Sequence, residues 1–162
     1  MDVKKYQDPA VIQAALSERR VAIVGLSANP LRASHFVGLY LQRHGYEILP
    51  VNPREERILG VPSYPTLTAA AATGPIGLVD VFRAPAAVPA IAEEAVAVSA
   101  DFLWLQFSVI SAEGVEIAEA GGLQCIVDAC TKIEHARYRG RMHWLGFNTR
   151  TVSAQRRPPQ SD

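Results

Sequence analysis

The sequence predicts an α/β fold, a three-layer sandwich in which a five-stranded parallel sheet carries helices on both faces. Three observations lead there. Apolar runs of strand length recur along the 162 residues without polar alternation, as strands covered on both sides require. Each run is followed by a stretch with helical spacing, the pattern that right-handed crossovers join into a parallel sheet. The chain is 49% hydrophobic and 20% charged, which suits a globular domain with a core of its own.

The elements follow in order. Asp8 and Pro9 read as an N-cap and a first-turn proline, opening a helix to about Arg20 with Val11, Ile12, Ala15 and Leu16 inward. "VAIVG" from Val21 is the first strand. A helix from about Ser34 to His44 carries Phe36, Val37, Tyr40 and Leu41 at helical spacing and stops at Gly45. "YEILPVN" is the second strand, closed by Pro53. A short piece "ILGVPSY" and an alanine-rich helix after Thr66 lead to Gly74-Pro75, then to the third strand "GLVDVF". Pro85 and Pro89 open a helix whose body is "AIAEEAVAV", and "FLWLQF" is the fourth strand, with Trp104 and Tyr40 as core candidates. Ser111 caps a helix that ends at Gly121-Gly122, and "LQCIVD" is the fifth strand. Thr131 and Glu134, spaced T-x-x-E, predict a capping box for a last helix. Residues 1–148 are expected to form one domain. The polar, proline-bearing end "TRTVSAQRRPPQSD", residues 149–162, is expected to be a disordered tail.

Sixteen basic and 16 acidic residues leave no whole-molecule field to recruit nucleic acid or membrane. The end of the chain is nevertheless basic. "HARYRGRMHWLGFNTR" mixes arginines with Tyr138, Trp144 and Phe147, a composition that suits single-stranded nucleic acid. The mildly acidic body opposes that use, so these aromatics are expected to pack on the domain or on a second copy, a homo-oligomer. No apolar run nears the ~18 residues of a membrane span, and the N-terminus lacks the apolar core of a signal peptide; a cytoplasmic protein without a membrane partner is expected. His35, His44, His135 and His143 show neither metal-ligand spacing nor a nucleophile partner, so no catalytic residue and no metal are assigned. Lys132, Glu134 and His135 read as structural charges of the last helix, and His35, on the binding helix, is expected either to touch a phosphate or to lie on the surface. Cys125 lies within a strand and reads as core. Cys130 falls at a helix start, where the dipole is expected to lower a thiol's pKa and allow a mixed disulfide with a thiol ligand.

Parallel sheets place ligands at the carboxyl ends of their strands, where strand order reverses. The residues there are Gly25-Leu26-Ser27, Asn52-Pro53-Arg54, Phe82-Arg83, Gln106-Phe107-Ser108 and Asp128 to Lys132. Against the dinucleotide pattern G-x-G-x-x-G the chain offers Gly25, then Ser27, then Pro30, which argues against the usual nicotinamide geometry. A helix start there still presents free amides to an anion, with Arg32 and Ser34 close by. After the second strand an NAD site needs an acid for the ribose hydroxyl, and this chain has Asn52-Pro53-Arg54. Arginine suits a phosphate. A ribose phosphate is therefore expected on the ligand, as in NADP on the 2′ oxygen or coenzyme A on the 3′ oxygen.

"VAIVGLSANPLRAS…YLQRHGYEILPVNP", "LVDVFRAP", "WLQF" and "DACTKIEHAR" together resemble the small CoA-binding proteins, stand-alone relatives of the CoA-binding domain of the succinyl-CoA synthetase α subunit. The resemblance covers roughly Asp8 to Arg139. It implies a Rossmann-like fold with coenzyme A across the strand ends. Gly25 to Ser27 would meet the pyrophosphate, with Arg32 and Ser34 assisting. Asn52, Pro53 and Arg54 would line the adenosine phosphate side, and Phe82, Arg83 and Gln106 the adenine and pantetheine groove. The synthetase's phosphohistidine domain has no counterpart here, so its ligase chemistry is not implied. A carrier or sensor of coenzyme A or acyl-CoA is the reading favoured. An NADP-dependent oxidoreductase is the first alternative and a nucleic-acid-associated protein the second.

Overall fold

A computed structural model describes residues 1–139. The expected domain end at 148, the tail at 149–162, and Trp144 and Phe147 lie outside the described residues. Among the described residues seven strands occur: β1 (Arg20–Val24), β2 (Glu47–Val51), β3 (Arg57–Ile58), β4 (Val61–Pro62), β5 (Leu78–Val81), β6 (Phe102–Leu105) and β7 (Gln124–Val127). Between them run α1 (Pro9–Ala15), α2 (Ala33–Arg43), α3 (Leu67–Ala71), α4 (Val88–Ala97), α5 (Ala112–Ala120) and α6 (Thr131–Tyr138). Short 3₁₀ turns cover Val3–Tyr6 and Pro85–Ala87. Five of the strands form one parallel sheet in the order β2-β1-β5-β6-β7, the Rossmann-like sandwich that the sequence predicts. The stretch "ILGVPSY" folds as the small antiparallel hairpin of β3 and β4.

Side-chain alternation explains the unbroken apolar runs. Ala22, Val24, Val79, Val81, Leu103, Leu105, Cys125 and Val127 point to one face, where Leu67, Val88, Ala92, Val115 and Ala118 of α3, α4 and α5 cover them. Val21, Ile23, Leu78, Trp104 and Ile126 point to the other, beneath Ile12 of α1 and Val37 and Leu41 of α2. Both faces are dry, so both parities must be apolar. A buried aliphatic side chain contributes about 1.5–3 kcal/mol. Such burial holds helices as short as the five-residue α3, which have no stability in isolation.

Three helix starts are capped as their residue types predict. Asp8 Oδ1 accepts from Ala10 N at 2.7 Å, Thr66 Oγ1 from Ala69 N at 3.0 Å and Ser111 Oγ from Gly114 N at 3.2 Å. Two expectations need correction. The first helix stops at Ala15, not near Arg20, because Arg20 already pairs with Glu47 in the sheet and the intervening residues must reverse the chain. The capping box at Thr131 and Glu134 does not form. Cys130 is the N-cap position, Thr131 is already helical, and its hydroxyl donates to Asp80 Oδ2 at 2.9 Å. A carboxyl group with no solvent exposure needs donors more than an exposed helix end does.

Strand order reverses between β1 and β5. The chain leaves β1 for β2 on one side, then returns to the opposite side of β1. Their carboxyl ends diverge there, which is where a parallel sheet of this order opens a crevice.

Candidate functional site

A cleft of about 510 Å³ occupies that reversal. Gly25 forms its floor. Its φ is +88°, and a Cβ on it would stand 2.6 Å from the Phe82 carbonyl oxygen and 2.9 Å from Arg83 Cδ. Glycine is thus required twice over, by conformation and by the closeness of the two strand ends. From Gly25 the chain climbs to α2 through a loop held by its own side chains. Ser27 N donates to Ser34 Oγ at 3.1 Å, Asn29 N to Ser27 Oγ at 3.1 Å, and Leu31 N to Asn29 Oδ1 at 2.9 Å. His35 Nδ1 sits 2.8 Å from the Ser27 carbonyl oxygen and donates to it, so this histidine ties down the loop. Arg32 is the N-cap residue of α2, and no side chain caps the helix. The amides of its first turn stay open beside the cleft, with the positive end of the helix dipole behind them.

The β2 end forms the opposite wall. Asn52 Nδ2 donates to the Leu26 carbonyl at 2.9 Å while its Oδ1 accepts from Arg54 N at 3.0 Å. The amide side chain therefore fastens the two rim loops together and fixes where Arg54 begins. Pro53 lines the same wall, and Phe82 and Arg83 close the third side. Arg32, Arg54 and Arg83 are all exposed and all line the cleft, whose lining contains no acidic side chain. Among the described residues none of the three has a carboxylate within salt-bridge distance. Three such guanidinium groups around uncapped helix amides make a receptor for a polyanion.

Of the ten residues assigned to the ligand from the sequence, nine line the cleft and Gln106 does not. The structure adds Ala33 and Ala84, small residues that give no chemical signal in a sequence but leave the α2 and β5 mouths open. It also shows why the third glycine of the dinucleotide pattern is dispensable. Gly38, within α2, lets the helix approach the loop: a Cβ there would lie 2.9 Å from Leu26 Cδ1.

Gln106 belongs to an adjoining apolar cavity of about 300 Å³, which shares Ala33, Phe82 and Arg83 with the cleft and continues past Phe107 and Val109 to Cys130. Gln106 is 4% exposed. Its Nε2 donates to Asp80 Oδ1 at 2.7 Å and to Thr131 Oγ1 at 2.8 Å, which turns the amide oxygen away from that network. Burial pushes the Asp80 carboxyl up to about 7, against the pull of the hydrogen bonds from Gln106 and Thr131. Burial also pushes the Cys130 thiol up, and the nearby Ile133 and Lys132 amides offset only part of this. The dipole effect expected from its place at a helix start is real but smaller than the desolvation.

On the far side of α2, His135 packs edge-on against Tyr40, His44 and Tyr46, with Nδ1 3.0 Å from Tyr40 Oη. Burial, then the neighbouring His44, hold it down to about 4, so it is a neutral core group at pH 7. No cluster of metal-ligating residues occurs among the described residues. No described helix is long and apolar enough to cross a membrane.

A family model described as a CoA binding domain matches residues 19–136. The chain belongs to that CoA-binding family. Every site residue named above falls inside the matched CoA-binding segment. An uncharacterized protein of Bacillus subtilis, YneT, is 39% identical over 118 residues, 73% of this chain and 86% of its own. A hypothetical protein from Pyrococcus horikoshii OT3 superposes on this CoA-binding domain with a TM-score of 0.76 at 31% identity, covering 80% of this chain and 91% of that one. A dinucleotide forming acetyl-coenzyme A synthetase from Candidatus Korarchaeum cryptofilum shares the fold at 17% identity and a TM-score of 0.58, over 66% of this chain and 25% of the larger protein.

Proposed function

We propose that this protein holds coenzyme A, free or acylated, across the carboxyl ends of its sheet, as a carrier or sensor with no catalytic group of its own. The observation that carries the reading is the set of three arginines around one cleft with open helix amides. The pyrophosphate sits beside Gly25 to Ser27, against the first turn of α2, whose open amides face an anion. Arg54, beyond Pro53 on the β2 side, takes the 3′-phosphate, and Arg32 and Arg83 flank the charge between. The neighbouring apolar cavity receives the pantetheine arm.

Thermal melting with coenzyme A, dephospho-coenzyme A, NADP and NAD tests this. A ligand at a hundredfold excess over its dissociation constant stabilises the folded state by about 2.7 kcal/mol. Coenzyme A is expected to raise Tm most. Loss of the 3′-phosphate removes a charge-assisted contact of about 1.5–3 kcal/mol, roughly ten- to hundredfold in Kd. Arg54→Ala is expected to erase the difference between coenzyme A and dephospho-coenzyme A while both still bind. A larger shift with NADP than with coenzyme A would favour the oxidoreductase reading, since Arg54 suits a 2′-phosphate equally.

A further inference from the structure

The apolar cavity behind the cleft ends at a thiol. We propose that Cys130 forms a mixed disulfide with the thiol of coenzyme A, which makes this inner cavity a covalent holding site for the ligand's sulphur end. The inference rests on the reading of the outer cleft as the nucleotide site.

Two observations support it independently of the cysteine. The first is continuity: cleft and cavity share three wall residues, so a ligand anchored by phosphates outside has one apolar space to enter. From the β1 end, where the pyrophosphate sits, to the β7 end, which Cys130 follows, is three strand spacings, about 14 Å, a span that an extended pantetheine arm covers. The second is Gln106. This side chain is buried (4% exposed), lines the cavity, and has its nitrogen committed to Asp80 and Thr131. Its Oε1 accepts from no donor among the described residues. That oxygen is open to the cavity, in a wall built mostly from apolar side chains with Arg83 at its edge, and can accept from whatever fills the space. The amide N–H groups of a pantetheine arm can donate to it, and they lead to the arm's thiol. The other cysteine cannot compete: Cys125 points to the opposite face of the sheet.

The chemistry is exchange with the disulfide of coenzyme A, which is the oxidant. Cys130 Sγ gives its proton to water and attacks one sulphur of the disulfide. The Sγ–S bond forms, the original S–S bond breaks, and one coenzyme A leaves as thiolate and takes up a proton. Cys130 and the retained coenzyme A end as a disulfide, and the released coenzyme A is the reduced product. Little thiolate exists at neutral pH because burial favours the thiol, so exchange depends on binding to hold the two sulphurs together. The same preference makes Cys130 a slow leaving group, which prolongs the adduct.

The test treats the reduced full-length protein with coenzyme A disulfide, and separately with glutathione disulfide at equal concentration, and follows intact mass and peptide maps. One coenzyme A per chain on the Cys130 peptide is expected, forming at least tenfold faster than the glutathione adduct and faster as pH rises. Cys130→Ser is expected to lose the adduct and Cys125→Ser to keep it. The wild-type peptide map locates the adduct even if a variant folds poorly. Melting of the reduced protein with free coenzyme A runs beside it. A Tm rise without an adduct, or with one on Cys125 or at the glutathione rate, overturns the inference and leaves the binding reading standing. Absence of any Tm rise overturns both.

Discussion

Gly25→Ala is expected to remove coenzyme A binding and to lower stability by more than its backbone strain alone. Its φ of +88° costs an alanine about 1–2 kcal/mol. The added methyl must also displace the Phe82 carbonyl, 2.6 Å away, and that carbonyl belongs to backbone that cannot swing aside. Moving it shifts the end of β5 and the Arg83 beside it, so the cleft loses its floor and one of its cations together. Gly45→Ala is the control. Gly45 has a φ of +84°, but a methyl group added there would meet nothing within 4 Å, so it carries the strain without the collision. Denaturant unfolding should place Gly45→Ala about 1–2 kcal/mol below wild type and Gly25→Ala lower still. The Tm rise with coenzyme A should survive in the first and vanish in the second. Equal losses in the two variants, with ligand response intact, would show that the strand ends do not need to meet.

The pH dependence of stability is expected to be nearly flat between about pH 4 and 6.5 because two buried groups pull it in opposite directions. The folded-state pKa of Asp80 is about 7 against an ordinary 3.8, so the unfolded chain releases this proton first and stability falls as pH rises from 3.8 to 7. At ~1.4 kcal/mol per unit the full effect is on the order of 4 kcal/mol. His135 works the other way. Its folded-state pKa is about 4 against 6.5, so the unfolded chain binds the proton first and stability falls as pH drops from 6.5 to 4. Each single variant should uncover the other's slope. In Asp80→Asn, Tm is expected to climb with pH over this window, and in His135→Gln to fall. Matching profiles for wild type and both variants would mean that neither group is perturbed by its burial.

What the sequence discloses of this molecule depends on how local the cause is. The five strands were legible because a doubly covered strand writes its burial into every consecutive residue, as in Val21 to Val24. The cleft was legible because the turns that leave β1 and β2 bring their own residues, Gly25 to Ser34 and Asn52 to Arg54, to the sheet edge whatever follows them. The Asp80 network was not. Its partners stand 26 and 51 residues further along the chain, and "GLVDVF" alone says nothing of them. The same carboxyl group drew Thr131 out of the expected capping box, so one unforeseen long-range contact accounts for both misses. Cys130 failed for a different reason: proximity to a helix start can be read from sequence, but the depth of burial that outweighs it cannot.

The loop from Gly25 to α2 has a consequence for the manner of recognition. Its hydroxyl, side-chain amide and imidazole groups are bonded to its own backbone and so hold its shape from within. The entropy of fixing that segment is therefore lost during folding, and little is left to lose when a nucleotide arrives. Such a seat is quick to fill and unforgiving of shape: a lock cut in advance, where a floppy turn would have moulded itself to many keys.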